Sequence, residues 1–246
     1  MKLSVIICCY NELASIRDVI EKTKQVNLGA GWEKEIIVVD NASTDGTREL
    51  LQQLNDPQVH TLFHERNMGK GMSIRTGFAH AMGDYFFIQD ADTEYDPFDQ
   101  PLFCRKARET GAAAVFGSRV LGGETKSRYL RTLLGNRVLT ITANLLFGGK
   151  LTDVATASKM VRADVARSLN LVCTGFDLDF ELPAKILLAG HEILEIPVSY
   201  NPRSYEEGKK IGFKDGITAI LAMLRVRLGL TPVLLRKEKA PDVEVA

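Results

Sequence analysis

Asp90 and Asp92 stand one residue apart at the end of the apolar, aromatic run Tyr85-Phe86-Phe87-Ile88-Gln89. An extended Asp-Ala-Asp sends both carboxylates to one side. Hard oxygen ligands of this kind suit Mg²⁺ or Mn²⁺, ions that usually share their shell with substrate phosphates. Pairs of aspartates also occur in ordinary surface turns, so position carries the reading. An apolar strand ends here and Thr93-Glu94-Tyr95-Asp96-Pro97 follows, which is where open parallel sheets hold ligands, beyond the carboxyl ends of strands.

Other polar groups close strand-like runs in the same way. Tyr10-Asn11-Glu12 follows Leu3 to Cys9, and Asp40 to Thr47 follows Glu35 to Val39. Carboxylates accept from base N–H groups or ribose hydroxyls, and an aromatic ring stacks on a base, so these ends describe a nucleotide site. Helix capping is the alternative for Glu12 and Asp40, and it is the reading for Asp45. Asn67-Met68-Gly69-Lys70-Gly71 opens a helix with two glycines and a lysine, which suits backbone approach to phosphate but lacks the Walker spacing.

The elements that must position these groups alternate. Leu3 to Cys9, Glu35 to Val39, Val59 to Phe63, Tyr85 to Gln89 and Ala113 to Phe116 read as strands; Ser15 to Gln25, Thr47 to Leu54, Lys70 to Met82 and Pro101 to Thr110 read as helices. This rhythm predicts a parallel sheet with right-handed crossovers. Asp99 is expected to cap the helix that begins near Pro101. Beyond Arg119 the pattern loosens into a basic loop, a long helix near Tyr129 to Phe147, a strand near Ser158 to Val161, a helix near Phe180 to Leu188 and a strand Glu192 to Tyr200. With no repeat or low-complexity linker, one α/β domain is the simpler reading.

Of 246 residues, 45% are apolar and 25% charged, which excludes fibrous and disordered classes. Lys plus Arg equals Asp plus Glu at 31 each, so the whole-molecule field does not single out nucleic acid or any other partner. From Asn201 to Ala240, however, nine basic residues stand against four acidic ones, and that end should meet something anionic. Cys8, Cys9, Cys104 and Cys173 lack zinc spacing, and a reducing, cytosolic compartment is expected. The N-terminal run reads as a first strand and not as a signal peptide, and nothing approaches the roughly 20 apolar residues of a membrane span.

Taken in order, Tyr10-Asn11-Glu12, Asp40 to Thr47, Asn67 to Gly71, Gly83-Asp84, Asp90-Ala91-Asp92 and Gly117-Ser118-Arg119 resemble the motifs of family 2 inverting glycosyltransferases. The chain looks like a GT-A (Rossmann-like) enzyme of the dolichyl-phosphate mannose synthase type. Glu195 to Tyr200, Arg203 and Gly208 to Gly212 are similar to the acceptor region of that polyprenyl-phosphate branch.

The resemblance implies that Tyr10, Glu12, Asp40, Lys70 and the Asp90-Ala91-Asp92 triplet bind a sugar nucleotide. Asp90 and Asp92 would hold its diphosphate through Mg²⁺ or Mn²⁺, with Glu94 as a further metal or sugar contact. Arg119, Lys159, Arg203, Lys209 and Lys210 would bind an acceptor phosphate, and Asp92, Arg119 and Glu181 are the candidates for catalysis. A phosphate monoester is already an anion at neutral pH and attacks without a general base, so a basic acceptor cradle suits polyprenyl phosphate.

Three positions depart from the pattern: Cys8 for a common Pro, Asn41 for a second Asp, and Lys159 for Arg. Residues 1–216 are expected to form the GT-A domain, and 217–246 an amphipathic helix and basic tail. In that helix Ile217, Ile220, Leu221, Leu224 and Leu228 share a face beside Arg225 and Arg227, fitting an interfacial helix peripheral to the inner membrane face, or contact with a membrane-embedded partner. A soluble glycan acceptor, with Glu181 or Asp177 as base, and a non-catalytic sugar-nucleotide-binding subunit are the alternatives.

Overall fold

Both faces of the first strand must be covered, because Ile6 and Cys8 on one face are apolar as well as Leu3, Val5, Ile7 and Cys9 on the other. The computed structural model describes residues 1–122, 130–203, 213–230 and 244–245. In β1 (Lys2–Cys9), Leu3, Val5, Ile7 and Cys9 enter one core and Ile6 enters another. The split repeats in β2 (Glu33–Asp40), where Ile36 and Val38 face the first core while Ile37 and Val39 face the second. After β3 (Val59–Phe63), it returns in β4 (Tyr85–Asp90), with Tyr85 and Phe87 opposed to Phe86 and Ile88. Strand alternation thus turns continuous apolar runs into a sheet that needs helices on both sides.

The first core is closed by α1 (Ile16–Gln25), by Leu51 of α2 (Thr47–Gln52), and by Phe103, Cys104 and Ala107 of α4 (Gln100–Thr110). In α1 the buried residues are Ile16, Val19, Ile20 and Thr23, one helical stripe; burying each isoleucine contributes about 1.5–3 kcal/mol. The second core takes Ile74 and Phe78 of α3 (Lys70–His80), Leu139 and Ala143 of α5 (Leu130–Phe147), Val165 of α6 (Ala163–Ser168), Leu182 and Ile186 of α7 (Leu178–Leu188), and Ala219 and Met223 of α8 (Phe213–Arg227).

With β5 (Ala114–Ser118), β6 (Lys159–Arg162), β7 (Ile193–Pro197) and β8 (Glu244–Val245), the sheet order is β7-β5-β6-β4-β1-β2-β3-β8. The β1–β2, β2–β3, β1–β4 and β5–β7 pairs are parallel. β6 runs antiparallel to both β4 and β5, and β8 antiparallel to β3. The chain leaves β1 toward β2 and β3 and returns on the other side as β4, so a topological switch point opens at the carboxyl ends of β1 and β4.

Three sequence expectations shift. Asp99 does not cap α4: a 3₁₀ turn, Pro97–Asp99, feeds directly into it, leaving Asp99 helical at φ −77° and ψ −17° without a side-chain cap bond. Its carboxylate accepts from Ser199 N at 2.7 Å instead, and Asp96 caps the turn by accepting from Phe98 N at 3.0 Å. The strand expected over Glu192 to Tyr200 is β7 and ends at Pro197, after which Ser199 and Tyr200 are held by Asp99 and Tyr95. The boundary expected between residues 216 and 217 falls inside α8, whose Ala219 and Met223 are fully buried in the second core. Among the described residues no helix is long and apolar enough to cross a membrane.

Candidate active site

Strand register brings the predicted groups to one sheet edge. Cys8 lies beside Asp90 and Cys9 beside Asp40, so Tyr10 to Glu12, Asp40 and Asp90 to Asp92 emerge together at the switch point. Tyr10 is half-buried there. Asp40 is fully buried and accepts from Ser43 N at 3.2 and 3.3 Å and from Arg48 Nη1 at 3.3 Å.

Next to it, Asn41 Oδ1 accepts from Met68 N at 2.9 Å, and Asn41 Nδ2 donates to Asn67 Oδ1 at 2.9 Å. The Asn41 oxygen therefore faces the His64 ring, 2.9 Å from Nδ1, so Nδ1 carries the proton and Nε2 accepts from Thr76 Oγ1 at 2.9 Å. Burial holds the His64 pKa below its ordinary 6.5 despite the pull of Asp40. Asn41 thus ties the loop after β2 to the loop before α3. His64 was not anticipated, although it is the first residue after β3, the place Asn41 holds after β2.

Lys70, at the start of α3, places Nζ 2.8 Å from Asp90 Oδ1 and 3.4 Å from Asp179 Oδ2. Burial works against its charge, but Asp179 and Asp90 outweigh burial and raise its pKa well above the usual value. Asp179 in turn accepts from Lys159 Nζ at 2.8 Å, and its main-chain oxygen accepts at 3.0 Å. Lys159, expected at the acceptor phosphate, is fully buried with its ammonium held by Asp179.

The glycines flanking Lys70 face backbone, not an open anion cradle. A Cβ on Gly69 would lie 2.3 Å from Thr174 O, and one on Gly71 2.7 Å from Gly175 O. Met72 N already donates to Thr174 O at 3.0 Å. The close approach expected for phosphate is made here by the segment before α7.

Asp92 meets Arg203. The guanidinium bonds the Asp92 carboxylate and reaches Glu12 Oε2 at 3.1 Å. Burial first, and then the neighbouring Asp90, push the Asp92 pKa up to about 7 against the opposing Arg203. Glu94, expected as a metal or sugar ligand, accepts from Arg203 N at 2.8 Å and Tyr200 OH at 3.4 Å, while its carbonyl accepts from Asn201 N at 2.8 Å. Arg203, expected at the acceptor phosphate, thus pairs with Asp92 and Glu12, and its Nε is buried without a partner among the described residues. The Ala91 side chain packs in the first core.

Beside Asp92 opens a cleft of about 570 Å³, lined by residues that include Glu94, Arg119, Tyr200, Asp18 and Lys22. Arg119 is fixed by a bidentate pair with Asp153, Nε and Nη2 each at 2.7 Å, and lies 5.1 Å over the Tyr200 ring. Glu195 holds that loop by accepting from Thr152 N at 2.7 Å and Asp153 N at 3.0 Å. Glu181 is fully buried, its oxygens taken by Val172 N at 3.0 Å, Cys173 N at 2.8 Å and Lys185 Nζ at 2.7 Å. It staples the 172–173 segment and does not face the cleft as a free carboxylate. Lys209 and Lys210 lie outside the described residues.

Among the described residues no three or more His, Cys, Asp or Glu side chains gather as a metal cage. Asp90 and Asp92 nevertheless fit a hard divalent ion shared with a diphosphate: both are oxygen donors, and each is balanced here by one cation, Lys70 or Arg203. The Glu94 carboxylate is committed elsewhere.

Residues 4–169 match the Glycosyl transferase family 2 profile, and the chain belongs to that family: it is a glycosyltransferase of GT-A fold. The undecaprenyl-phosphate mannosyltransferase of Micrococcus luteus is 27% identical over 249 residues, covering 94% of this chain and 100% of that one. Among solved structures, glucosyl-3-phosphoglycerate synthase from Mycobacterium tuberculosis in complex with Mn²⁺, UDP and phosphoglyceric acid matches with a TM-score of 0.65 at 20% identity, over 93% of this chain and 78% of that one. A mannosyltransferase from Pyrobaculum calidifontis in complex with GDP-Man and Mn²⁺ matches at 0.58 and 18%, over 91% and 69%. At these identities the solved structures establish the shared fold.

Proposed function

We propose that this glycosyltransferase moves a hexose from a GDP- or UDP-sugar to a polyprenyl phosphate, with inversion, at the cytosolic face of a membrane. The likeness to an undecaprenyl-phosphate mannosyltransferase over nearly the whole chain supports the acceptor class. Tyr10, Glu12 and Asp40 take the nucleoside, and Lys70 meets the diphosphate. Asp90 and Asp92 hold Mg²⁺ or Mn²⁺, which when bound would neutralise the departing nucleoside diphosphate. Arg119 and Arg203 take the acceptor phosphate, each supplying planar donors suited to it.

The observation that carries this reading is the pair of guanidinium groups next to Asp92: Arg119 lines the cleft there and Arg203 bonds the Asp92 carboxylate, while Glu181, one of the two carboxylates considered as a base for a hydroxyl acceptor, has its oxygens committed inside the fold. Among the described residues the buried Arg203 Nε has no partner. We assign Glu181 to positioning the segment before α7.

The lipid tail requires a surface. On α5, Leu134, Val138, Ile141 and Leu145 are exposed, and on or just after α8 Ile217, Leu221, Leu224 and Leu228 are exposed with the same 4-3-4 spacing. The two helices pack together, with Arg137, Arg225 and Arg227 exposed along them. Ile220, expected on the outer stripe, packs on the core instead. Apolar stripes with basic neighbours fit an anionic membrane surface.

Incubating the purified protein with GDP-mannose, UDP-glucose or UDP-N-acetylglucosamine and a short polyprenyl phosphate tests the proposal. One sugar nucleotide should yield a polyprenyl phosphosugar of inverted anomeric configuration. Transfer to soluble hydroxyl acceptors alone would sink it.

A further inference from the structure

Four charged side chains form a line beneath the donor site: Asp90, Lys70, Asp179 and Lys159. Lys70 Nζ sits between Asp90 at 2.8 Å and Asp179 at 3.4 Å, and Asp179 is held from below by Lys159 at 2.8 Å. We infer that Asp179 is a positioning residue of the donor site, which keeps the Lys70 ammonium where a diphosphate must arrive, and that Lys159 serves it by balancing its charge. The inference rests on the sugar-nucleotide reading above.

Lysine carries its charge on a flexible four-carbon stem, so its ammonium is useful to a ligand only if something restrains it. Asp90 cannot be the sole restraint, because it is the carboxylate that turns to a divalent ion when the donor binds. Asp179 is then the partner Lys70 keeps. It lies in the first turn of α7, and its own carbonyl is fixed by Lys159 at 3.0 Å, so the anchor is rigid.

Asp179 is shared between two lysines, and its side chain is 12% exposed whereas that of Lys159 is 0%. The carboxylate therefore stands at the edge of the site, with the interior lysine behind it.

The test separates position from stability. Asp179→Asn alone leaves Lys159 buried and unpaired, whereas Asp179→Asn with Lys159→Met removes both charges at similar volume. Titration calorimetry with GDP and UDP in Mg²⁺, and with guanosine and uridine, reads the site without turnover. The double variant is expected to melt near the wild-type temperature and to bind the nucleoside diphosphate about tenfold more weakly, the worth of a charged hydrogen bond, with nucleoside binding unchanged. Diphosphate affinity within about twofold of wild type overturns the positioning role. A wild type that binds neither nucleoside diphosphate overturns the donor reading and this assignment together. Should the double variant fail to fold, Asp179→Glu keeps both charges and displaces the carboxylate by one methylene; undiminished diphosphate binding in that variant likewise overturns it.

Discussion

Arg203 and Asp92 are joined, guanidinium to carboxylate, across 111 residues of sequence. The cation that neutralises this half of the aspartate pair is thus a side chain from beyond β7. A divalent ion must compete with it. Arg203→Gln is therefore expected to tighten binding of Mn²⁺ alone by about tenfold, the worth of one charged hydrogen bond, as read from free Mn²⁺ by electron paramagnetic resonance. An unchanged affinity would count against Arg203 as the competitor.

Asp92→Asn removes charge while nearly preserving volume. Arg203 keeps Glu12 as a partner at 3.1 Å, so the fold should survive. Nucleoside diphosphate affinity in Mg²⁺ should fall about tenfold to a hundredfold, and chelation should cost the variant far less than the wild type. Equal donor affinity with chelator and with metal, in the wild type, would refute metal-assisted binding.

Asp153 fixes Arg119 through two bonds of 2.7 Å. Asp153→Asn leaves the guanidinium with weaker restraint, so the acceptor KM should rise about tenfold while nucleotide affinity holds. Parallel loss of both would show that Arg119 is not confined to the acceptor.

His64 is buried as a neutral ring, and burial depresses its pKa below 6.5. The unfolded chain then binds the proton more tightly, so the stability contributed by the neutral ring is fully present above about pH 6.5 and is lost as pH falls toward the folded value. Between about pH 7 and 5.5 the melting temperature of the wild type should drop more steeply than that of His64→Asn, which retains an N–H for Asn41. Parallel slopes would remove His64 from the titration.

Membrane contact predicts flotation with vesicles containing acidic lipid, weakened by salt, since each basic residue near such a surface contributes about 1 kcal/mol. Replacing Arg225 and Arg227, both exposed, by Glu should release the protein without lowering its melting temperature. A wild type that stays in solution at low salt with acidic vesicles would point to a partner in the membrane or to a soluble acceptor.

What could be read from the chain was what is local to it. The run Val59 to Phe63 is strand β3 as expected, and the aspartate pair closes β4, because apolar runs and their polar ends are neighbours in sequence. The pairings that set the site are not neighbours. Asp153 and Arg119 are 34 residues apart, Asn41 and His64 23, and Lys159 and Asp179 20, with nothing in their spacing to relate them. The reversed direction of β6 was equally hidden, since four residues, Lys159–Arg162, carry no sign of which way their neighbours run. α6, six residues long, is too short for helical periodicity to declare itself.

The fit of Gly69 and Gly71 against the main chain at Thr174 and Gly175 bears on how mutational maps of such enzymes are interpreted. An alanine scan would score both positions among the most sensitive in the donor half, although the missing methyl groups there face protein. Loss of function at these sites would measure how closely two backbones must lie, and a ligand footprint drawn from it would be one helical turn too large.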